Sequence, residues 1–307
     1  MTADLRFSRA AIIGIGHQGG SIALAARQFD TVDEVVGFDA DPATRARVET
    51  LGLVDRVSET LADAVHEADL ILLCVPVGAM AGVADEMAGA LDPAAVVTDV
   101  GSVKGLIARD VASRIPNRAR VVPGHPIAGT EQSGPNSAFA QLFVGRWVIL
   151  TPTPDTDAGA VERVSHFWRS IGARIEIMDP EHHDLVLAIT SHIPHLIAYN
   201  IVGTAAHLEE ITESEVIKFS AGGFRDFTRI AASDPTMWRD VFLSNREAVL
   251  EMLGRFSEDL TALQRAIRWG DGDALFDLFT RTRSIRRGII EAGQETSAPD
   301  FGRRGGS

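Results

Sequence analysis

The chain carries a single cysteine, Cys74, among 307 residues, so no disulfide can form within it. A reducing, cytoplasmic setting is the expectation. Cys74 lies inside the apolar run LILLCVP and reads as a small buried hydrophobe rather than a nucleophile. Lysine is nearly missing: Lys104 and Lys218 are its only instances, and the basic side is otherwise arginine. Acidic residues outnumber basic ones 42 to 29, a formal charge of −13, which speaks against a nucleic-acid partner because phosphate binding depends on basic side chains. The uninterrupted apolar runs fall well short of the ~20 residues of a membrane-spanning helix, so no membrane association is expected. The N-terminus passes from Asp4 straight into an apolar strand, and no secretory leader is expected. No internal repeat is visible.

What is present has two rhythms. In the first half, short Val- and Ile-rich strands (AAIIGIG, VVGFD, LILLCVPV, AVVTDVG, RVVPGH, RWVILTP) alternate with segments of helical period. That pattern predicts an α/β domain with a Rossmann-type, doubly wound, mostly parallel sheet covered on both faces. After GARIEIMDP the strands stop, and from about Glu181 the pattern is helical almost throughout. The expected division is residues 1–179 for the sheet domain and 180–294 for an all-α domain that also dimerises, with a disordered tail at 295–307.

The first strand runs into Gly14-x-Gly16-x-x-Gly19, and a helical pattern follows. The first glycine permits a tight turn, the second lets backbone approach a pyrophosphate, and the third allows close helix–strand contact. Strand before, helix after and an acidic residue some twenty positions on form the context that this fingerprint requires. The acidic residue is Asp39, whose carboxylate suits ribose hydroxyls and repels a 2′-phosphate, favouring NAD over NADP. Asp41 is close by, and either aspartate reads equally as a cap for the next helix. Pro76 and Ser102 end the next two strands of the pattern, on the rim where open α/β sheets bind ligands; Ser102 also reads as a plain helix cap.

VVPGHPIAGTEQSG raises a sharper question. His125 stands where an apolar strand breaks into small and polar residues, a position that no packing periodicity requires. On the rim of the sheet it faces the cofactor crevice, and an imidazole near its ordinary pKa can take up a proton there. Two clusters in the second half compete for function. TSHIPHL sets His192 and His195 three apart around Pro194, which suits a buried hydrogen-bonded histidine or a substrate contact better than a metal, since no third ligand accompanies them. GGFRDFTR sets Arg225 and Arg229 four apart after the pair Gly222-Gly223. If both face one side of a helix, they form a receptor for a carboxylate; otherwise they are a solvated pair.

Taken together, GIGHQGGS, DVGSVK, GHPIAGTE, TSHIPHL and GFRDFTRIAASDP, in that order, resemble the prephenate/arogenate (cyclohexadienyl) dehydrogenase family of tyrosine biosynthesis. The resemblance covers the chain to about residue 290. It implies an NAD-dependent homodimer joined through its C-terminal helices. The implied reaction takes hydride from a cyclohexadienol carbon and releases a ring carboxylate as CO2. By the same resemblance His125 takes the proton of the ring hydroxyl and Ser102 orients it. Arg229 holds a substrate carboxylate. Arg225, His195, Thr130, Glu131 and Gly222 line the pocket, and Trp238 covers it, from the same subunit or from the partner. No fused mutase and no separate regulatory domain are expected. Two other readings stay open at this point. One is a β-hydroxyacid dehydrogenase, although its catalytic lysine is missing from residues 181–208. The other is a catalytically silent NAD-binding sensor.

Overall fold

The computed structural model describes residues 5–129, 132–212 and 222–291. Two compact units emerge, one running to Leu250 and the other starting at Glu251.

In the first unit, six parallel strands form one sheet in the order β3-β2-β1-β4-β5-β6. They are β1 (Phe7–Ile13), β2 (Val32–Phe38), β3 (Arg56–Val57), β4 (Leu70–Leu73), β5 (Val96–Asp99) and β6 (Val121–Val122). The doubly wound parallel sheet is the one expected, with the two-residue β3 as an unexpected edge. Successive residues of β1 supply opposite faces: Ala10 and Ile12 join one buried cluster, Ala11 and Ile13 the other. Both faces are covered, so the strands read as continuous apolar runs. Helices α1 (His17–Gln28), α2 (Pro42–Leu51), α3 (Leu61–Val65), α4 (Val77–Met87) and α5 (Lys104–Leu106, continued by a π turn to Val111) make the crossovers.

The order reverses between β1 and β4, whose last residues Ile13 and Leu73 lie side by side, with Asp99 of β5 next in the same row. Ligands bind at such a switch point, beyond the carboxyl ends of the strands.

RVVPGH departs from the single strand expected of it. Val121 and Val122 extend the parallel sheet, whereas β7 (Gly124–Pro126) leaves it and pairs antiparallel with β8 (Trp147–Leu150). β8 in turn pairs parallel with β9 (Arg174–Ile177) in a second, three-stranded sheet. The divergence falls at Pro123, which has no N–H to donate to a ladder. His125 therefore stands not at the tip of the fifth strand but on the strand that turns away from it, opposite Ile149. Helix α6 (Ala158–Ser170) buries Phe167 and Trp168 beneath this second sheet.

Helical structure then follows. Asp-Pro pairs start three helices, each aspartate accepting backbone N–H bonds while proline takes the first turn, where no donor is needed. They are Asp41 for α2, Asp179 for α7 (Pro180–Leu187) and Asp234 for α10 (Pro235–Ser244). A π turn at Ala188–His192 separates α7 from α8 (Ile193–Thr212), in whose first turn Pro194 lies. Proline cannot donate to the carbonyl four residues back, and the wider turn absorbs the misfit. α9 (Gly222–Thr228) and a 3-10 turn at Arg229–Ala232 follow. Trp238 and Val241 of α10 join the core cluster on the α4 face of the sheet. By length and composition Pro180–His207 could cross a membrane. Its buried His183 and Asp184 hydrogen-bond to groups of β7 and α5, which ties the start of the segment into this unit.

The second unit contains the end of α11 (Arg246–Trp269) and α12 (Gly272–Glu291). Leu260, Ile267, Trp269, Phe276, Phe279 and Ile285 there expose between 53% and 72% of their surface.

Candidate active site

The glycine loop behaves as its spacing predicts. Gly14 adopts φ +92°, open to glycine, and a Cβ there would lie 2.8 Å from the Cys74 carbonyl carbon. A Cβ on Gly19 would lie 2.1 Å from the Gly14 oxygen, so helix and strand touch through bare backbone. On Gly16 a Cβ would meet nothing within 4 Å, which leaves open ground before α1. No side chain caps that helix, and no acidic residue stands in its first turn. Unsatisfied N–H groups and the positive end of the dipole are what a pyrophosphate requires, so these residues fit a dinucleotide.

The ambiguity between the two aspartates is resolved. Asp41 caps α2, accepting from the N–H groups of Ala43 and Thr44. Asp39 instead turns back to the loop and accepts from the Ile15 N–H at 3.0 Å and the Asp41 N–H at 3.0 Å. Each oxygen keeps lone pairs for ribose hydroxyls. Asp39→Asn is expected to lower kcat/KM for NAD about tenfold, the equivalent of roughly 1.4 kcal/mol, and to raise the NADP to NAD ratio. Parallel kinetics with the two dinucleotides measure it, and an unchanged ratio would contradict the role. Pro76 sits at the N-cap of α4, beside the glycine loop through Cys74 and Val75. Cys74 is half-buried, and burial followed by the Asp99 charge pushes its thiol up, which fits the inert hydrophobe expected.

Ser102 is half-buried in the loop after β5 and does not cap α5, whose N-cap is Val103. The acceptor comes from elsewhere in the chain. Asp184 of α7 accepts from the Lys104 N–H at 2.7 Å and the Gly105 N–H at 2.9 Å. Lys104 itself is fully buried. Its ammonium donates to Asp99 Oδ2 and, at 2.6 Å, to the Gly124 carbonyl. Asp99 also accepts from the Gly124 N–H at 3.1 Å and the Gly101 N–H at 2.8 Å. Both backbone groups of Gly124 are thus clamped by one ion pair, which fixes the residue before His125. Burial pushes the Lys104 ammonium down and the Asp99 carboxyl up, each opposed by its partner.

His125 Nδ1 lies 2.9 Å from Nε2 of His183, and His183 Nδ1 lies 2.8 Å from Asp184 Oδ1. Burial lowers the His125 pKa well below its ordinary value, and the positive potentials of His183, Lys104 and His192 lower it further. Burial lowers that of His183 too, against the pull of Asp184. Asn245 donates to the Asp184 carbonyl at 2.8 Å and stands 3.1 Å from His192 Nδ1. Burial pushes His192 down to about 4.

These neutral rings give stability a sign with pH. Between the lowered folded pKa values and about 6.5 the unfolded chain binds more protons, so stability falls as pH drops through that window. His192 alone accounts for about 3 kcal/mol once pH reaches 4. Urea unfolding at stepped pH measures the loss. His192→Asn, which keeps an amide facing Asn245, is expected to flatten the profile; an unflattened one would refute the assignment.

His195 donates through Nδ1 to the Ser191 carbonyl at 2.8 Å, which leaves Nε2 as an acceptor. Its ring stacks on Trp238 at 3.6 Å, and His192 meets the same indole edge to face at 6.0 Å. Trp238 is buried within its own chain, stacked under His195. Burial lowers His195, and the nearby Arg229 charge contributes to that shift. Arg229 is exposed, as is Arg225, which pairs with Asp226 at 3.5 Å. The two arginines do not share a regular helical face, because α9 ends at Thr228 and Arg229 lies in the 3-10 turn. Gly222 opens α9. Thr130 and Glu131 lie outside the described residues.

Sequence reading missed His183, Asp184, Asn245 and the role of Lys104. The one local signal was an Asp-Pro cap followed by His-His-Asp; nothing local says that this turn meets residues 58 and 80 positions away.

A doubly wound sheet with an open glycine loop at its switch point, and with His125 following a residue clamped to the end of β5, is the arrangement of a nicotinamide-dinucleotide dehydrogenase. Residues 22–177 match the family model for the prephenate dehydrogenase nucleotide-binding domain, and residues 179–281 match the one for the prephenate dehydrogenase dimerization domain. The chain belongs to the prephenate dehydrogenase family, whose members are oxidoreductases. It is 44% identical over 280 residues to the cyclohexadienyl dehydrogenase of Zymomonas mobilis, covering 91% of this chain and 95% of that one. Against the prephenate dehydrogenase of Bacillus subtilis the identity is 33%, over 91% and 75% of the two chains. The crystal structure of Aquifex aeolicus prephenate dehydrogenase in complex with hydroxyphenyl propionate and NAD+ superposes with a TM-score of 0.87 at 35% identity, over 92% and 98%. NAD is the cofactor, as the glycine loop and Asp39 anticipate, and the β-hydroxyacid dehydrogenase and silent-sensor readings fall away.

Proposed function

We propose that this chain oxidises prephenate, or prephenate and arogenate both, with loss of the ring carboxylate as CO2 to leave a phenol. The observation that carries the reading is the His125 imidazole, its pKa lowered by burial, held through Nδ1 and following a residue bonded to the end of β5. Bound NAD supplies the hydride acceptor. As hydride leaves the carbinol carbon, His125 Nε2 takes the hydroxyl proton, and the C–OH becomes the carbonyl that draws out CO2. Ser102, at the same rim, donates to that oxygen and orients it. Arg229 holds the substrate carboxylate through its guanidinium fork, with His195 Nε2, Arg225 and Gly222 beside it. Thr130 and Glu131 complete the proposed pocket, and Trp238 supports it by stacking His195 in place. Aromatisation supplies the driving force, so alignment is the main task left to the protein.

In this reading residues 1–179 bind NAD, while 180–294 complete the substrate site and join two copies into a cytoplasmic homodimer. The exposed apolar side chains of α11 and α12 support that interface, being more than a monomer leaves bare without cause. Steady-state kinetics on prephenate and arogenate in parallel, read by NADH absorbance, test the activity. Turnover of prephenate is expected, and no turnover with either acid would remove the proposal.

A further inference from the structure

We propose that His183 and Asp184 are positioning residues of the reaction, setting the tautomer of His125 and stabilising the charge that it acquires. The inference rests on His125 as the proton acceptor. It follows from counting donors around one carboxylate. Asp184 already receives the Lys104 and Gly105 N–H groups, at 2.7 and 2.9 Å, and a carboxylate has no proton to give. The third group against it, His183 Nδ1 at 2.8 Å, must therefore be the donor. A neutral imidazole protonated at Nδ1 presents a lone pair at Nε2. That lone pair faces His125 Nδ1 at 2.9 Å, so His125 in turn carries its proton on Nδ1. Its Nε2 is left bare, the form needed to accept a hydroxyl proton. Two rings thus pass the orientation of one carboxylate to the reacting atom.

The rest of the assembly fits this role. Asp184 is held from three sides: by the start of α5, by His183, and through its own carbonyl by Asn245 Nδ2 at 2.8 Å. The rings of His125 and His183 meet edge to face, at 5.1 Å and 65°, which aims nitrogen at nitrogen. When the substrate O–H bond breaks, the proton goes to His125 Nε2, and it returns to the ring oxygen once loss of CO2 has made that oxygen a phenolate, giving the phenol and the free imidazole. His183 keeps accepting the Nδ1–H and passes no proton on. The imidazolium lies two hydrogen bonds from the Asp184 charge, in surroundings where such a charge is weakly screened. Among the described residues, the other groups facing His125 are the Lys104 ammonium, itself matched by Asp99, and the His192 ring. Asp184 is thus the anion left to offset the new cation.

The test uses the full-length enzyme with NAD and substrate. Asp184→Asn keeps the size and removes the charge, so His125 holds a proton less well. The acidic limb of kcat/KM against pH is expected to move to lower pH by about half a unit or more. The plateau kcat is expected to fall about tenfold or more, as is usual for a group that orients a catalytic one, with NAD affinity within about twofold of wild type. Because Asp184 also caps α5, a second pair guards against misfolding: His183→Leu removes the acceptor from His125, and His183→Gln restores a carbonyl oxygen near it. Gln is expected to recover part of the kcat that Leu loses. An acidic limb that stays in place in Asp184→Asn, or a His183→Leu enzyme with kcat within about twofold of wild type, would overturn the inference. Full activity in His125→Asn would instead overturn the proton-acceptor reading beneath it, so the two failures are distinct.

Discussion

His125→Asn lowers kcat by about 100- to 10,000-fold while leaving the NAD dissociation constant within about twofold, the range expected when a positioned proton acceptor is removed. Asparagine fits the space and its amide can still meet His183 Nε2, so the Gly124–Pro126 strand keeps its pairing to β8. What disappears is an atom that can take a proton. The glycine loop, Asp39 and the open N-terminus of α1 are contributed by other elements, so cofactor binding survives. Single-turnover NADH formation and a direct NAD titration separate the two effects. Near-normal turnover would show that the hydroxyl proton leaves by another route.

The second large effect is on stability. Lys104→Met is expected to cost about 3–5 kcal/mol, because removing one partner of a buried ion pair leaves the other charge uncompensated. Asp99, 1% exposed, would keep only the Gly101 and Gly124 N–H groups, and the Gly124 carbonyl would lose its donor. Methionine fills nearly the same volume, so little of the loss arises from a void. Urea unfolding at one protein concentration reads the difference. The double variant Asp99→Leu with Lys104→Met is expected to recover much of it, since an apolar pair strands no charge. A Lys104→Met protein within about 1 kcal/mol of wild type would show that water or another group satisfies Asp99.

The parts of the fold set by local rules could be read from the sequence. Strand-rich runs alternating with helical period fixed the doubly wound sheet, and the spacing of Gly14, Gly16 and Gly19 between a strand and a helix located the dinucleotide loop. His125 was visible as an anomaly in a strand. The switch of sheets at Pro123 was not, since RVVPGH satisfies strand preference on both sides of the proline. Nor could the sequence divide the roles of Asp39 and Asp41, which differ only in which way their side chains turn. The four-residue spacing of Arg225 and Arg229 suggested a common helical face, but the helix ends between them. His183 and Asp184 were hidden for a more general reason. Their partners are a backbone helix start and a ring far along the chain, and sequence carries no local mark of either.

The acceptor for the start of α5 has one more implication. The family's two domain models meet between residues 177 and 179, while the carboxylate that satisfies Lys104 and Gly105 stands at 184. A protein cut at that seam would retain every strand of the large sheet and every glycine of the loop. It would nonetheless have two bare amides beside a buried ammonium, next to the loop that carries Ser102 and the strand that carries His125. The seam that divides the gene product into modules is therefore not a line along which it can be divided by hand.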